Sequence, residues 1–308
     1  LHSTSRRQRQ MCIRDSAKAF AAQYNIPHWY ASYEELAADP ALDAIYIATP
    51  NALHYENCKL CLEHGKHVIC EKPLSAHAKD VAELQALAKE RGLIYLEAIM
   101  FMHLPQRKLL EEALKKIGDI SVAKIDFCQR SSKYDAYLAG SLPNIFNPAL
   151  ETGALMDLGV YCVYPALYLF GKPQNTLAVS HLLASGADGS DIVAMQYPDK
   201  LVNLVFSKVG QAGANTDFQG TNGTVSVESI SKLANISIRY NNGTVEEVCG
   251  EEEKFKLMGY EAKDFYRYIT EPEASRAEYE QCSALAYDVS VYMEEIRKLA
   301  NIRFPSDN

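Results

Sequence analysis

The chain has no Gly-x-Gly-x-x-Gly between residues 17 and 100, no run of ~18 uninterrupted apolar residues, and no surplus of positive charge. The second absence removes the usual signature of a membrane-spanning helix. The third, a formal net charge of −8, argues against a nucleic acid or an anionic membrane as partner. The N-terminus is polar and Arg-rich and has no apolar core of the kind a secretory signal needs. Eight cysteines scattered over 308 residues read as reduced thiols of a cytoplasmic protein. That length, with 48% apolar and 23% charged residues, is enough to bury the cores of two domains.

The first sixteen residues read as foreign. Met11-Cys12-Ile13-Arg14-Asp15-Ser16 is the in-frame translation of a transposase adapter used in sequencing libraries. Residues 1–16 are therefore set aside from fold reasoning, which leaves the rest of the chain more acidic still.

From residue 17 onward strand and helix alternate. A helix over 17–24 ends at Ile26-Pro27, and Ser32-Tyr33-Glu34-Glu35 forms a capping box for a short helix to Ala38. Residues 43–48 form a short apolar strand of the kind that parallel sheets cover on both faces. A turn at Thr49-Pro50-Asn51 leads to a helix closed by Gly65, then a strand at 67–70, a helix at 76–91 closed by Gly92, and a strand at 93–98. This spacing predicts a parallel sheet with right-handed crossovers over 17–100.

After a helix at 105–117 the pattern changes. Residues 119–130 and roughly 176–250 alternate apolar and polar with Gly and Asn turns, which predicts antiparallel strands. A mostly apolar helix at 153–170 lies between them, and a last helix spans about 278–300. The expected class is α/β: an incomplete Rossmann-type sheet over 17–100, then an α+β domain with a large, mostly antiparallel sheet over 101–308.

The stretch Gly65-Lys66-His67-Val68-Ile69-Cys70-Glu71-Lys72-Pro73 puts a lysine between a carboxylate and a proline at the exit of a buried strand. In open α/β sheets, ligands sit outside the carboxyl ends of strands. Asp157 and Tyr161, four residues apart, share one face of an otherwise apolar helix, where a carboxylate is costly unless paired. Thr49, Pro50, Asn51 and His54 occupy a turn where short polar side chains and helix-end amides can meet a cofactor, and Asn51 can also serve as a helix cap. Cys58-x-x-Cys61-x-x-His64-x-x-His67 matches no standard zinc spacing, so no metal is expected.

Four motifs stand in order: Ala48-Thr49-Pro50-Asn51 with His54, Gly65-Lys66-His67-Val68, Glu71-Lys72-Pro73, and Gly153-Ala154-Leu155-Met156-Asp157-Leu158-Gly159-Val160-Tyr161. Together they resemble the Gfo/Idh/MocA oxidoreductases over about 17–175, and more loosely the C-terminal helix with Ile302-Arg303-Phe304-Pro305. Within the family the chain looks most like the dihydrodiol and xylose dehydrogenase group, which has tyrosine where inositol dehydrogenases have histidine.

The resemblance implies NAD or NADP as cofactor and a secondary CH–OH of a sugar, polyol or cyclic diol as substrate. It places Lys72 near the nicotinamide and the substrate oxygen, gives Tyr161 an acid/base role and gives Asp157 a substrate-orienting role. Thr49, Pro50, Asn51, His54 and Glu71 become cofactor contacts. Lys72 would lower the pKa of the Tyr161 phenol. Phe101 and Met102 stand where relatives have an aromatic and an arginine, which leaves His103 as either a replacement substrate contact or an ordinary loop histidine. Lys133, Tyr134 and Asn147 precede the Asp157 helix and are further lining candidates.

The missing Gly-rich turn leads to an expectation that the chain is truncated and binds the cofactor weakly. By analogy with the family, the second sheet offers a face for a homodimer. The competing readings are an inositol-type dehydrogenase and a non-catalytic sugar- or nucleotide-sensing protein on the same scaffold.

Overall fold

The protein is described by a computed structural model over residues 15–307, so 1–14 of the segment read as foreign lie outside the described residues. Helix α1 covers 15–23. Helix α2 (Tyr33–Ala38) starts where the capping box places it, with Ser32 Oγ accepting from Glu35 N–H at 3.1 Å. The Glu35 carboxylate reaches back to Ala31 N–H at 3.0 Å, one residue before the cap.

Strands β1 (Ala44–Ile47), β2 (His67–Glu71) and β3 (Tyr95–Ala98) pair in that order, both pairings parallel. Helices α3 (His54–Glu63) and α4 (Ala78–Glu90) make the crossovers. Gly65 and Gly92 follow these helices with φ of +75° and +67°, the left-handed backbone that lets each chain turn back to the sheet. The strand β1 departs from expectation. It buries only Ile45 and Ile47, while Ala44 and Tyr46 face a cavity of about 480 Å³.

That cavity is roofed by a helix the sequence pattern did not reveal. After α5 (Gln106–Lys116), β4 (Ile120–Cys128), α6 (Tyr134–Leu138), α7 (Val160–Phe170) and the strands β5 (Asn175–Leu182), β6 (Asp188–Gln196), β7 (Leu201–Ser207), β8 (Thr216–Gly220), β9 (Gly223–Ser229), β10 (Ala234–Tyr240) and β11 (Val245–Cys249), the chain forms α8 (Lys254–Thr270) and α9 (Pro272–Leu299). The buried stripe of α8 is Leu257, Glu261, Phe265 and Tyr268, and the glutamate in it breaks the apolar signal. Helix α9 begins at Pro272, six residues before the expected start, because proline is tolerated in a first helical turn.

The second sheet has eight strands, ordered β11-β10-β9-β8-β4-β7-β6-β5. All its pairings are antiparallel except β4 with β7 (Leu201–Ser207), which is parallel because β4 enters the sheet centre from a helix, not from a hairpin. Helix α7 packs between this sheet and α9. The stretch Pro148–Phe170 has a mean hydropathy of 1.4 over its most apolar window, and 72% of that window is buried inside the protein, as in a core helix. Helix α9 returns to the first domain, where Ala286 enters the core of the three-stranded sheet and Gln85 donates to the Ser283 carbonyl at 2.7 Å.

Candidate active site

Lys72 is the first residue past β2, and its side chain is only 12% exposed. Its ammonium donates to the Asp157 carbonyl at 2.8 Å and to Asp157 Oδ1 at 2.7 Å, and lies 4.9 Å from the centre of the Tyr161 ring. The three residues proposed from motifs 85 and 89 positions apart therefore meet. Asp157 stands in a π-helical turn, Leu155–Gly159, that widens the helix just before α7 carries Tyr161.

Two glycines and a buried aspartate build that turn. Asp188 on β6 (Asp188–Gln196) accepts from Leu155 N–H at 2.6 Å, and a Cβ at Gly153 would come within 1.8 Å of Asp188 Oδ1. At Gly159 a Cβ would press on the Phe206 ring at 2.9 Å. Pro165, inside α7, cannot donate to the Tyr161 carbonyl four residues earlier, which loosens the helix beside Tyr161.

No motif in the sequence pointed to Lys208. It follows β7, its side chain is 4% exposed, and it forms a close ion pair with Asp157 Oδ2. Asp157 thus lies between two ammonium groups. Partial burial would raise its pKa, but Lys72 and Lys208 outweigh that and hold it at about 2. Burial works against the Lys72 charge, but Asp157, with help from Tyr161 and Glu71, more than offsets it, so its pKa is raised. The expectation for Tyr161 needs correction. Burial raises the phenol, Lys72 pulls the other way, and the net shift is upward. Phe127 packs edge-on against it at 5.5 Å and excludes water from that side.

The turn after β1 lines the same end of the sheet. Asn51 does not cap a helix with its side chain; its amide donates to the Glu151 carbonyl at 2.8 Å and ties the first domain to the segment before the Asp157 turn. Thr49 Oγ1 accepts from the Asn57 amide at 3.2 Å, and Pro50 precedes the 3-10 turn Asn51–Leu53. His54 is fully buried, with the Pro73 carbonyl 2.8 Å from Nδ1 and the Thr49 carbonyl 2.8 Å from Nε2. It fastens the two turns bordering the crevice and does not reach into it. Glu71 accepts a close hydrogen bond from the Tyr46 hydroxyl.

His103 is not brought to the trio. Its side chain is buried, with Nδ1 2.9 Å from Asp264 Oδ2 on α8 and its ring against Tyr268, so it fastens α8 and is no exposed substrate contact. Asn147 caps a short turn by accepting from Ala149 N–H at 3.1 Å, and Tyr134 stacks on Tyr137 with ring centroids 6.1 Å apart. His64 faces the Leu60 carbonyl, and His67 Nδ1 accepts from Ile94 N–H at 2.9 Å. Among the described residues no three His, Cys, Asp or Glu side chains come together as a metal site.

An ammonium, a carboxylate and a phenol can bind an alcohol and move its proton, but none can accept a hydride. The donor set fits a nicotinamide cofactor placed at the carboxyl ends of β1 and β2, beside Thr49–Asn51 and Lys72.

Residues 7–98 match the model of the Gfo/Idh/MocA oxidoreductase family with its NAD-binding Rossmann fold, and residues 107–226 match the Gfo/Idh/MocA C-terminal domain. The chain belongs to the Gfo/Idh/MocA family. It is an oxidoreductase with an NAD-binding domain. The first match begins at residue 7, so it takes in part of the segment that reads as an adapter translation.

The chain is 38% identical over 293 residues to the Bacillus subtilis scyllo-inositol 2-dehydrogenase (NADP(+)) IolU, covering 95% of this chain and 88% of that one. It is 32% identical over 307 residues to the mouse trans-1,2-dihydrobenzene-1,2-diol dehydrogenase, covering 94% and 87%. Relatives of both kinds weighed from the sequence are therefore present. Among solved structures, KijD10, a 3-ketoreductase from Actinomadura kijaniata in complex with NADP and TDP-benzene, superposes with a TM-score of 0.81 over 92% of this chain and 86% of that one. At 23% identity that likeness speaks for the fold alone.

Proposed function

We propose that this Gfo/Idh/MocA protein interconverts a secondary alcohol and its ketone on a polyol, sugar or cyclic diol, with NADP as cofactor. The observation that carries the reading is the closed trio: Lys72 bonded to Asp157 at 2.7 Å and lying over the Tyr161 ring at 4.9 Å. The relatives named as inositol and dihydrodiol dehydrogenases support the substrate class, and the NADP in the name of IolU supports the cofactor.

The nicotinamide, when bound, accepts or delivers the hydride. In the reductive direction Tyr161, held neutral by burial, donates its hydroxyl proton to the carbonyl oxygen as that oxygen becomes an alkoxide. Lys72 stabilises the developing negative charge, and its own charge is kept by Asp157. In oxidation the carbinol proton passes to a Tyr161 phenolate, so oxidation is favoured by alkaline conditions. Asp157, half-exposed between its two lysines, orients a substrate hydroxyl. Thr49, Pro50, Asn51 and Glu71 border the cofactor's place, and His54 shapes it from behind.

Lys72→Met should abolish turnover on a panel of inositols, aldoses and cyclic diols followed by NADPH absorbance. Turnover at the wild-type rate would sink the acid/base assignment. The panel itself separates an inositol-type enzyme from a diol or sugar dehydrogenase.

The outer face of the eight-stranded sheet supports a homodimer. Val179 on β5 and Ile192 on β6 are exposed there as a cross-strand pair, and Leu177 on β5 and Leu201 on β7 are exposed on the same sheet. The free, mostly buried cysteines among the described residues fit a reducing cytoplasm.

A further inference from the structure

Glu97 lies on β3, 4% exposed, directly beside Cys70 in the register with β2 and thus two residues before Lys72 on the neighbouring strand. One of its carboxylate oxygens accepts from Leu74 N–H at 3.2 Å, and the other takes a close hydrogen bond from the Tyr164 hydroxyl. Leu74 is two residues beyond Lys72. Tyr164 is fully buried on α7, one turn beyond Tyr161. A single buried side chain therefore holds the loop that presents Lys72 and the helix that presents Tyr161. From the opposite side His54 holds the same loop through the Pro73 carbonyl.

We propose that Glu97 is a positioning residue, fixing the separation of Lys72 and Tyr161 by tying their two supporting elements to β3. The proposal rests on the acid/base reading of Lys72 and Tyr161. A carboxyl suits this task because it keeps both bonds in either protonation state. Ionised, it accepts from both donors; protonated, it still accepts from Leu74 N–H and donates to the Tyr164 oxygen. This matters because burial pushes Glu97 up to about 7, against the pull of Tyr164, Leu74 N–H and Lys72, while Glu71 adds to the rise. Glu261 on α8, Tyr95 on β3 and Cys70 on β2 also face it electrostatically.

Glu97→Gln preserves the pattern, with the amide oxygen accepting from Leu74 and the amide nitrogen donating to Tyr164. Glu97→Ala removes both bonds. The proposal expects Glu97→Gln to keep kcat within about threefold of wild type with an unchanged pH profile, whereas Glu97→Ala loses about tenfold or more in kcat with little change in KM. Tyr164→Phe, which cuts one bond and keeps the ring, should fall between them.

A crystal structure of Glu97→Ala should show the Lys72–Tyr161 separation increased from 4.9 Å. An unchanged separation in that structure overturns the proposal whatever the activity shows. So does a Glu97→Gln enzyme as slow as Glu97→Ala, or one that has lost a limb of its pH profile near neutrality, since either would make Glu97 a proton carrier. If Lys72→Met keeps turnover while the Glu97→Ala separation widens, the catalytic reading falls and the positioning geometry stands.

Discussion

At the scale of single residues, the site is governed by one carboxylate shared between two cations. Asp157 is held at about 2 against an ordinary 3.8, so its folded-state pKa is depressed. Stability from this pairing is fully present above the unfolded value and is lost as pH falls toward 2. The shift corresponds to about 1–2 kcal/mol once the exposure of the side chain is allowed for. Asp157→Asn leaves the buried Lys72 and Lys208 ammonium groups facing each other without a counter-charge. It should lower stability by about 2 kcal/mol at pH 7 and flatten the acid limb of a melting-temperature profile between pH 5 and 2. An acid limb as steep as that of wild type would show that the pair carries no such linkage. Lys208 illustrates what residue-level reading misses: a lysine just past a strand end looks like any surface lysine until its partner is known.

At the scale of elements, the decisive piece is the turn from Gly153 to Gly159. Its apolar residues, its two glycines and the Asp157–Tyr161 spacing were legible, and they announced a helix with one polar face. The π-helical widening was not legible, because it arises from the Asp188 carboxylate seizing Leu155 N–H from a strand more than thirty residues away. Gly153→Ala tests this. Its Cβ would collide with a fully buried carboxylate that cannot move aside, so we expect a loss of about 2–4 kcal/mol by chemical denaturation and a matching loss of activity. Gly153→Ala at wild-type stability would mean that the turn does not depend on the close approach. Helix α8 makes the complementary point. Its stripe is periodic, but Glu261 occupies the middle of it, so a search for apolar spacing passes it over.

At the scale of the whole molecule, two sheets of different character meet at the candidate site, and α9 fastens them together. The eight-stranded sheet buries one face against α7 and leaves Leu177, Val179, Ile192 and Leu201 exposed on the other. Leu177→Asp should convert a dimer into a monomer in sedimentation analysis with melting little changed for the isolated subunit. A wild-type monomer at micromolar concentration would remove this face from consideration.

The alternation of strands and helices, the family, and three side chains that meet at the candidate site could be read from the linear chain. Each of these depends on local backbone periodicity or on residue types at fixed spacing, which a linear chain displays directly. Tertiary structure alone decided that Lys208 joins Asp157, that His103 turns away to α8, that His54 and Glu97 brace the Lys72 loop, and that Tyr161 is shifted upward despite its neighbouring cation. Those outcomes depend on burial and on partners far apart in the chain. Desolvation and long-range hydrogen bonds take their values only after the elements have packed.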